Sequence, residues 1–231
     1  SGIHSPDSDY LMTFASVGPV TSQHTGAVTN LSLPMTSSVG AGGVIVFAAG
    51  HDSVSTIVTA LGDTASNTYD WTNAVSAAGG VTAGWAYVEN GLASGSDTID
   101  ATFTGSSDAM ARAYAFTGVS DQEVTSTFKN YTESTTYSLS MNNTSGEDAV
   151  MFAVFTFPFD FGISTTPTGW TKFADITDTA DQQLLGFYKE IGTGVNTCSA
   201  TLGVTVAYLA AGMILPYSVS GRGRGQAVAI F

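Results

Sequence analysis

The sequence predicts an all-β protein: a tandemly duplicated antiparallel β-sandwich, jelly-roll-like, in two abutting halves with extended N- and C-terminal arms. Three observations carry this. Short β-prone segments alternate with Gly, Asn and Ser turn signals at spacings of roughly 8–12 residues. A set of these segments recurs in the same order about 100 residues further on. No segment carries a sustained i, i+3, i+4, i+7 apolar stripe with caps.

The repeat is read from four matches. Val44-Ile45-Val46-Phe47-Ala48 answers Ala149-Val150-Met151-Phe152-Ala153, and Asn67-Thr68-Tyr69-Asp70-Trp71 answers Thr168-Gly169-Trp170-Thr171-Lys172. Gly84-Trp85-Ala86-Tyr87-Val88-Glu89 answers Leu185-Gly186-Phe187-Tyr188-Lys189-Glu190, and Ile99-Asp100-Ala101-Thr102-Phe103 answers Cys198-Ser199-Ala200-Thr201-Leu202. The halves are placed at 1–119, with a polar arm over 1–8, and at 120–220. The link between them, 118–122, is too short to let them separate. Packing repeat on repeat would bury the apolar face that a lone sheet exposes.

In the first half, strands are expected over 10–17, closed by Gly18-Pro19, and over 27–33, which alternates apolar and polar residues at period two. The continuous apolar run 44–49 lies between glycines and reads as a strand buried on both faces. Segments 54–60, 69–73, 81–88, 98–103 and 109–116 follow, with turns at Asn90-Gly91, Ser94-Gly95 and Gly105-Ser106. The second half offers 124–129, 135–141, 149–155, 169–176, 184–191, 197–202 and 205–215, with turns at Ser145-Gly146, 192–194 and Gly203. Segment 207–215 is the nearest competitor for a helix, and its match to 109–116 argues for a strand. Pro216 should end that strand.

Beyond it, 221–231 is unlike the rest. Gly221-Arg222-Gly223-Arg224-Gly225 holds two of the six cations. The β-prone hexamer Gln226-Ala227-Val228-Ala229-Ile230-Phe231 follows. These residues, with Arg222 and Arg224, are the candidate subunit contacts, the hexamer either adding to a neighbour's sheet edge or closing its own sandwich.

Composition narrows the function. Hydrophobic residues are 43% of the chain and charged residues only 11%, so Ser, Thr, Gly, Asn and Gln must make much of the wet surface. The net charge is -13, from 6 Lys+Arg against 19 Asp+Glu. That argues against a nucleic-acid partner, which needs a cationic face, and against an anionic membrane surface. No run approaches the ~18 apolar residues that span a bilayer. Cys198 is the single cysteine, so no intrachain disulfide can form. The opening Ser1-Gly2-Ile3-His4-Ser5-Pro6 has no signal-peptide pattern; an initiator Met or a longer leader is taken to have been removed.

Chemistry is sparse. His51-Asp52-Ser53 has the letters of a hydrolase triad, but adjacent strand residues point to opposite faces. There is no Gly-x-Ser-x-Gly elbow and no phosphate-binding Gly-x-x-x-x-Gly-Lys-Ser/Thr loop. His4, His24 and His51 are scattered, which does not fit a zinc site. Asp97 with Asp100, and Asp175 with Asp178 and Asp181, could offer oxygen ligands to calcium, yet lack EF-hand spacing and read as solvated acids. Glu89 and Glu190 match by duplication and read as strand-end acids rather than a glycosidase pair. No catalytic residue, metal or cofactor is expected. Trp71, Trp85 and Trp170 are expected in the core. Phe152, Phe155, Phe157, Phe159 and Phe161 recur along one stretch, so Phe157, Phe159 and Phe161 form either a partner patch or, buried, a bridge between the halves. Asn30, Asn130 and Asn143 sit in glycosylation-type triplets.

From residue 13 to 215 the chain resembles a β-sandwich module that recurs in tailed-phage structural proteins and large bacterial surface proteins. The resemblance rests on Gly43-Val44-Ile45-Val46, Asp63-Thr64-Ala65-Ser66-Asn67-Thr68-Tyr69, Trp85-Ala86-Tyr87, the 98–103 strand, Tyr114-Ala115-Phe116-Thr117-Gly118-Val119, Gly169-Trp170 and Gly186-Phe187-Tyr188. It implies a display or packing module and transfers no site residues. The expectation is a non-enzymatic virion structural protein, a phage capsid decoration or cement protein at the virion surface, bound to capsid or like subunits and homo-oligomeric. The alternative is a carbohydrate-binding or adhesive module of a secreted bacterial protein, extracellular, with a glycan as partner.

Overall fold

A computed structural model describes residues 15–51, 57–76, 79–123, 125–158, 162–177 and 182–217. Among them there is no helix. The first sheet is built from β1 (Ala15–Pro34), β2 (Val44–His51), β3 (Val58–Asp63), β4 (Tyr69–Ser76), β5 (Gly79–Tyr87) and β6 (Thr98–Thr117). Its order is β1-β6-β2-β5-β4, with β3 also paired to β6. The second holds β7 (Thr125–Asn143), β8 (Ala149–Phe157), β9 (Thr171–Thr177), β10 (Gln183–Ile191) and β11 (Gly194–Pro216), in the order β7-β11-β8-β10-β9. All pairings are antiparallel. Replacing β1, β2, β4, β5 and β6 by β7 to β11 in turn converts one order into the other, so the duplication is a duplication of topology. Only β3 has no counterpart strand among the described residues.

The strands are longer than the sequence implies. Gly18-Pro19 does not close a strand. Gly18, at φ 125°, sits at a register shift inside β1, and Pro19 stays paired with Tyr114. A bulge of this kind bends and twists a strand without ending it. The turns expected at Gly105-Ser106 and Gly203 are likewise folds within β6 and β11, and β7 joins two expected strands.

These folds give each half its own core. The early part of β6 pairs with residues 30–34 of β1 and with β3, while its later part pairs with residues 15–25 of β1 and with β2. Ile99 and Phe103 therefore lie over Ile45 and Phe47 of the same half. In the second half Tyr137, Leu139 and Cys198 cover Met151, Phe155 and Phe187. The opposite faces of the two sheets meet in a third, shared core of Val44, Val46, Trp85 and Phe116 against Phe152, Phe173, Leu184 and Met213. β2 and β8 are buried along their whole length because each faces a core on both sides.

That double burial corrects the residue matching read from the sequence. Val44 faces the shared core, whereas Ala149 faces its own half's core. The true counterpart is Val150: Val44 pairs with Phe116 and Val150 with Leu215, as equivalent strands require. The match of β6 to β11 keeps its register, with Ala101 opposite Leu31 and Ala200 opposite Tyr137.

Across the shared core β4 lies over β7 and β11, β5 over β11 and β8, β2 over β10, and β6 over β9. β5 on β8 and β10 on β2 are the same contact made twice. So are β4 on β11 and β9 on β6. These repeated contacts relate the halves by an approximate two-fold, as in an isologous dimer, while β4 on β7 and β5 on β11 have no counterpart of similar extent and make the packing asymmetric.

Candidate functional site

The two ends of the described chain converge at one pole of the sandwich. Ala15, the first residue of β1, pairs with Thr117. Tyr217, just past β11, bridges to Val119. Thr117 and Val119 are two residues apart in sequence, so whatever precedes Ala15 and follows Tyr217 attaches at neighbouring points. The connection between the halves fixes this pole: the Ser120 amide donates to Pro216 O at 2.9 Å and the Tyr217 amide to Asp148 O at 3.2 Å. The Tyr217 hydroxyl donates to Glu190 Oε2. Burial first, and then Glu190, raise the phenol's pKa well above its ordinary range, so it stays a donor. The connection between the halves is also held by the Trp85 indole, which donates to Glu123 Oε2 at 2.8 Å. Glu190 is thus a hydrogen-bonded anchor for Tyr217; both Glu190 and Glu89 are exposed.

The candidate contacts Arg222, Arg224 and Gln226 to Phe231 lie outside the described residues, as do Phe159 and Phe161. Phe157 is fully buried in the second half's own core, against Tyr137 and Tyr208. It offers no partner surface and does not bridge the halves. The bridging aromatic on that strand is Phe152, which packs on Phe116 at 5.0 Å between ring centroids. Side chains alternate faces, so Phe155 and Phe157 share one side of β8 and Phe152 takes the other.

Of the expected core tryptophans, Trp85 and Trp170 are buried and Trp71 is 37% exposed. Trp71 lies on the face of β4 turned from the shared core, its indole donating to Val58 O at 3.3 Å. His51 is buried, its ring edge-on to Phe103 at 5.7 Å. Asp52 and Ser53 lie outside the described residues.

The carboxylates have structural partners. Asp97 accepts from the Ala93 amide at 2.6 Å and the Thr64 hydroxyl at 2.8 Å, which together hold its pKa below the usual carboxylate range and close the 93–97 turn. Asp100 accepts from the Thr98 hydroxyl at 2.9 Å. Asp175 pairs with Lys172 at 2.5 Å and accepts from Gln183 at 3.2 Å; Asp178 and Asp181 lie outside the described residues. Among the described residues no group of His, Cys, Asp and Glu is arranged to hold a metal ion. Asn143 is buried, its amide donating to Glu147 O and Gly192 O, so its triplet presents no free glycosylation acceptor.

Two features have roles that the sequence reading did not assign. The first is a network centred on Asp63. Its Oδ1 accepts from the Ala65 and Asn67 amides, and its Oδ2 from Asn67 Nδ2 and the Tyr69 hydroxyl, each at 3.0 Å. Asn67 reaches on to the backbone of Asn90 through both amide atoms. The Asp-x-x-x-Asn-x-Tyr spacing is its signature: it folds the chain through Ser66 at φ 63° and ties β3 to the turn after β5. The second is the outer edge of β11, which among the described residues lacks the strand that β3 supplies to β6. The signal was present in the sequence, since segment 54–60 finds no match in the second half.

Comparison of the chain with protein-family models, with curated proteins and with solved structures finds no match.

Proposed function

We propose that this protein is a non-enzymatic structural protein of a virion, a decoration or cement protein that binds neighbouring capsid or like subunits. The supporting observation is the convergence of both ends of the described chain at one pole of a doubly packed sandwich, at Ala15 on Thr117 and Tyr217 on Val119. A rigid body with two segments attached side by side suits gripping a neighbour from one face. The segments themselves differ in kind: 1–14 carries Leu11, Met12 and Phe14, and 218–231 carries two arginines and an apolar hexamer. Strand pairing and apolar burial at subunit contacts, rather than chemistry, would then do the work.

The test is particle binding. Chain lacking 226–231 should keep its β-rich circular dichroism spectrum and lose occupancy on capsids. Unchanged occupancy would reject the role of the hexamer. Exposed Trp71 favours a second reading, a carbohydrate-binding or adhesive module, because an aromatic ring on a sheet surface stacks on sugar faces. Calcium-dependent signal on a glycan array, lost in Trp71→Ala, would select it.

A further inference from the structure

We propose that the outer edge of β11 over residues 197–202 is an acceptor for the hexamer Gln226-Ala227-Val228-Ala229-Ile230-Phe231 of a second copy, which adds there as the strand that β3 supplies in the first half. This deepens the assembly reading and rests on it.

The vacancy is read from the duplication. In the first half, Ile99 to Phe103 is flanked by β1 on one side and β3 on the other. In the second half the equivalent residues Cys198 to Thr201 pair with β7 on one side. On the other side, among the described residues, no ladder is formed. The side chains register the difference. Ala101 and Phe103 are buried at 1% and 3% exposure, while their counterparts Ala200 and Leu202 are only partly covered. Val195 and Val204, near the two ends of this stretch, are 72% and 56% exposed.

The described part of the chain that replaces β3 in sequence forms no strand there. Residues 162–167 form a loop held by Gln183, whose side chain bonds both the amide and the carbonyl of Ile163, and by the Tyr137 hydroxyl on Thr165 O. Between this loop and Leu202, Gly203 and Val204 lies a cleft of about 150 Å³. The loop packs at the end of the core, and no described residue forms a ladder on this edge of β11. An edge with unpaired amides and carbonyls beside apolar side chains is a template for another strand.

The hexamer has the matching character. It is apolar after Gln226, rich in β-formers, and places Val228 and Ile230 on one face and Ala227 and Ala229 on the other. Geometry points to a second copy as donor. β3 runs antiparallel to β6. A chain starting from Tyr217, near Asp148 and Gly192 and hence near the start of β11, would have to travel to Leu202 before turning back. That is eight residues beyond Gly194, about 27 Å of strand. From Tyr217 to Gln226 there are nine steps along the chain, at most about 32 Å fully extended, which leaves little more than one residue for the reversal. Parallel addition from the same chain lies within reach of the linker, but it would reverse the direction in which β3 meets β6. A neighbour's chain meets neither restriction.

Disulfide trapping with full-length protein tests this. Thr201 is exposed on β11, so Thr201→Cys is made in one preparation. In others, Ala227, Val228, Ala229 and Ile230 are each changed to Cys. Preparations are mixed under a glutathione redox couple, and linked dimers are resolved without reductant and mapped by mass spectrometry. Adding Leu202→Asp to Thr201→Cys, with circular dichroism as the folding check, is expected to abolish the links. The result expected is linkage at alternate hexamer positions, the period-two signature of a paired strand. Equal linkage at all four positions, or none, overturns the proposal. So does a chain carrying Thr201→Cys and a hexamer Cys that closes only on itself at high dilution. If removing 226–231 abolishes capsid occupancy yet no alternating linkage forms, the acceptor is wrong and the assembly reading stands. If removal leaves occupancy unchanged, that reading fails first.

Discussion

Phe116→Ala should be among the most damaging single substitutions in this protein. Phe116 is fully buried in the shared core, 5.0 Å from Phe152, 5.1 Å from Tyr188 and Tyr114, and 6.5 Å from Phe173 between ring centroids. Three of those four rings belong to the other half. Truncating a buried Phe to Ala costs about 3–5 kcal/mol, set by how far the surroundings collapse. Here the walls are two packed sheets, which relax poorly. Edge-to-face aromatic pairs add roughly 0.5–1.5 kcal/mol each beyond area, which places the loss near the top of that range. The assay is equilibrium urea unfolding, followed separately by Trp85 in the first half and Trp170 in the second, each in a background where the other two tryptophans are Phe. Because the shared core stabilises both halves, both probes should shift together to lower urea. A loss under about 1.5 kcal/mol would refute the packing argument, since that is little more than an average substitution costs. A shift seen by Trp85 alone would refute the coupling of the halves.

Other outcomes follow from the same contacts. Gly80→Ala places a Cβ 1.9 Å from the His51 ring, so the imidazole must leave its place against Phe103; a drop in melting temperature without loss of sheet content is expected. Asp63→Ala strips partners from buried Asn67 and Tyr69 and should cost about 1–3 kcal/mol, read by urea midpoint, whereas exposed Asp70→Ala should lie within about 0.5 kcal/mol of the parent. Burial raises the Cys198 thiol from its ordinary 9.0, and burial with Asp63 raises the Tyr69 phenol from 10.0. Both groups have folded pKa values above their unfolded ones, so their contribution is complete below pH 9.0 and lost as pH rises beyond it. Urea midpoints should hold up to pH 9.0 and fall as the pH rises to about 11, and a flat profile would remove these groups from the account. Cys198 should react with a thiol reagent only after unfolding.

The fold class was legible because it depends on signals that survive in one sequence: period-two patterning, turn residues and ordered repetition. The residue register was legible only where a strand has one wet face. β6 and β11 alternate near Ile99-Asp100-Ala101 and Cys198-Ser199-Ala200, and their match holds. β2 and β8 face apolar cores on both sides, so alternation vanishes and a one-residue slip exchanges the faces unnoticed. Gly105-Ser106 and Gly203 read as turns because glycine marks folds within a strand as readily as its end. Phe157 and Trp71 were misplaced for a related reason, since local pattern does not say which of two apolar faces has a sheet over it. Asp63 was visible as part of a motif, but the convergence of its four donors needs the turn in three dimensions.

The approximate two-fold between the halves has a consequence for each half alone. Released from its partner, the second half would expose Val150, Phe152, Val154, Phe173, Leu184, Leu209, Met213 and Leu215 on a single sheet face. Each such side chain gains about 1.5–3 kcal/mol by burial, so the face is far too apolar to stay wet. Its own core of Tyr137, Phe155 and Phe187 would remain complete. The expected behaviour of residues 120–217 expressed alone is therefore a folded unit that pairs with itself through that face, as the two halves pair within the chain. Sedimentation equilibrium should show a dimer or larger species, and Phe152→Asp should reverse it without loss of β signal. A soluble, folded monomer of the unaltered half would show that the shared core is dispensable, and with it the reason for both halves to travel in one chain.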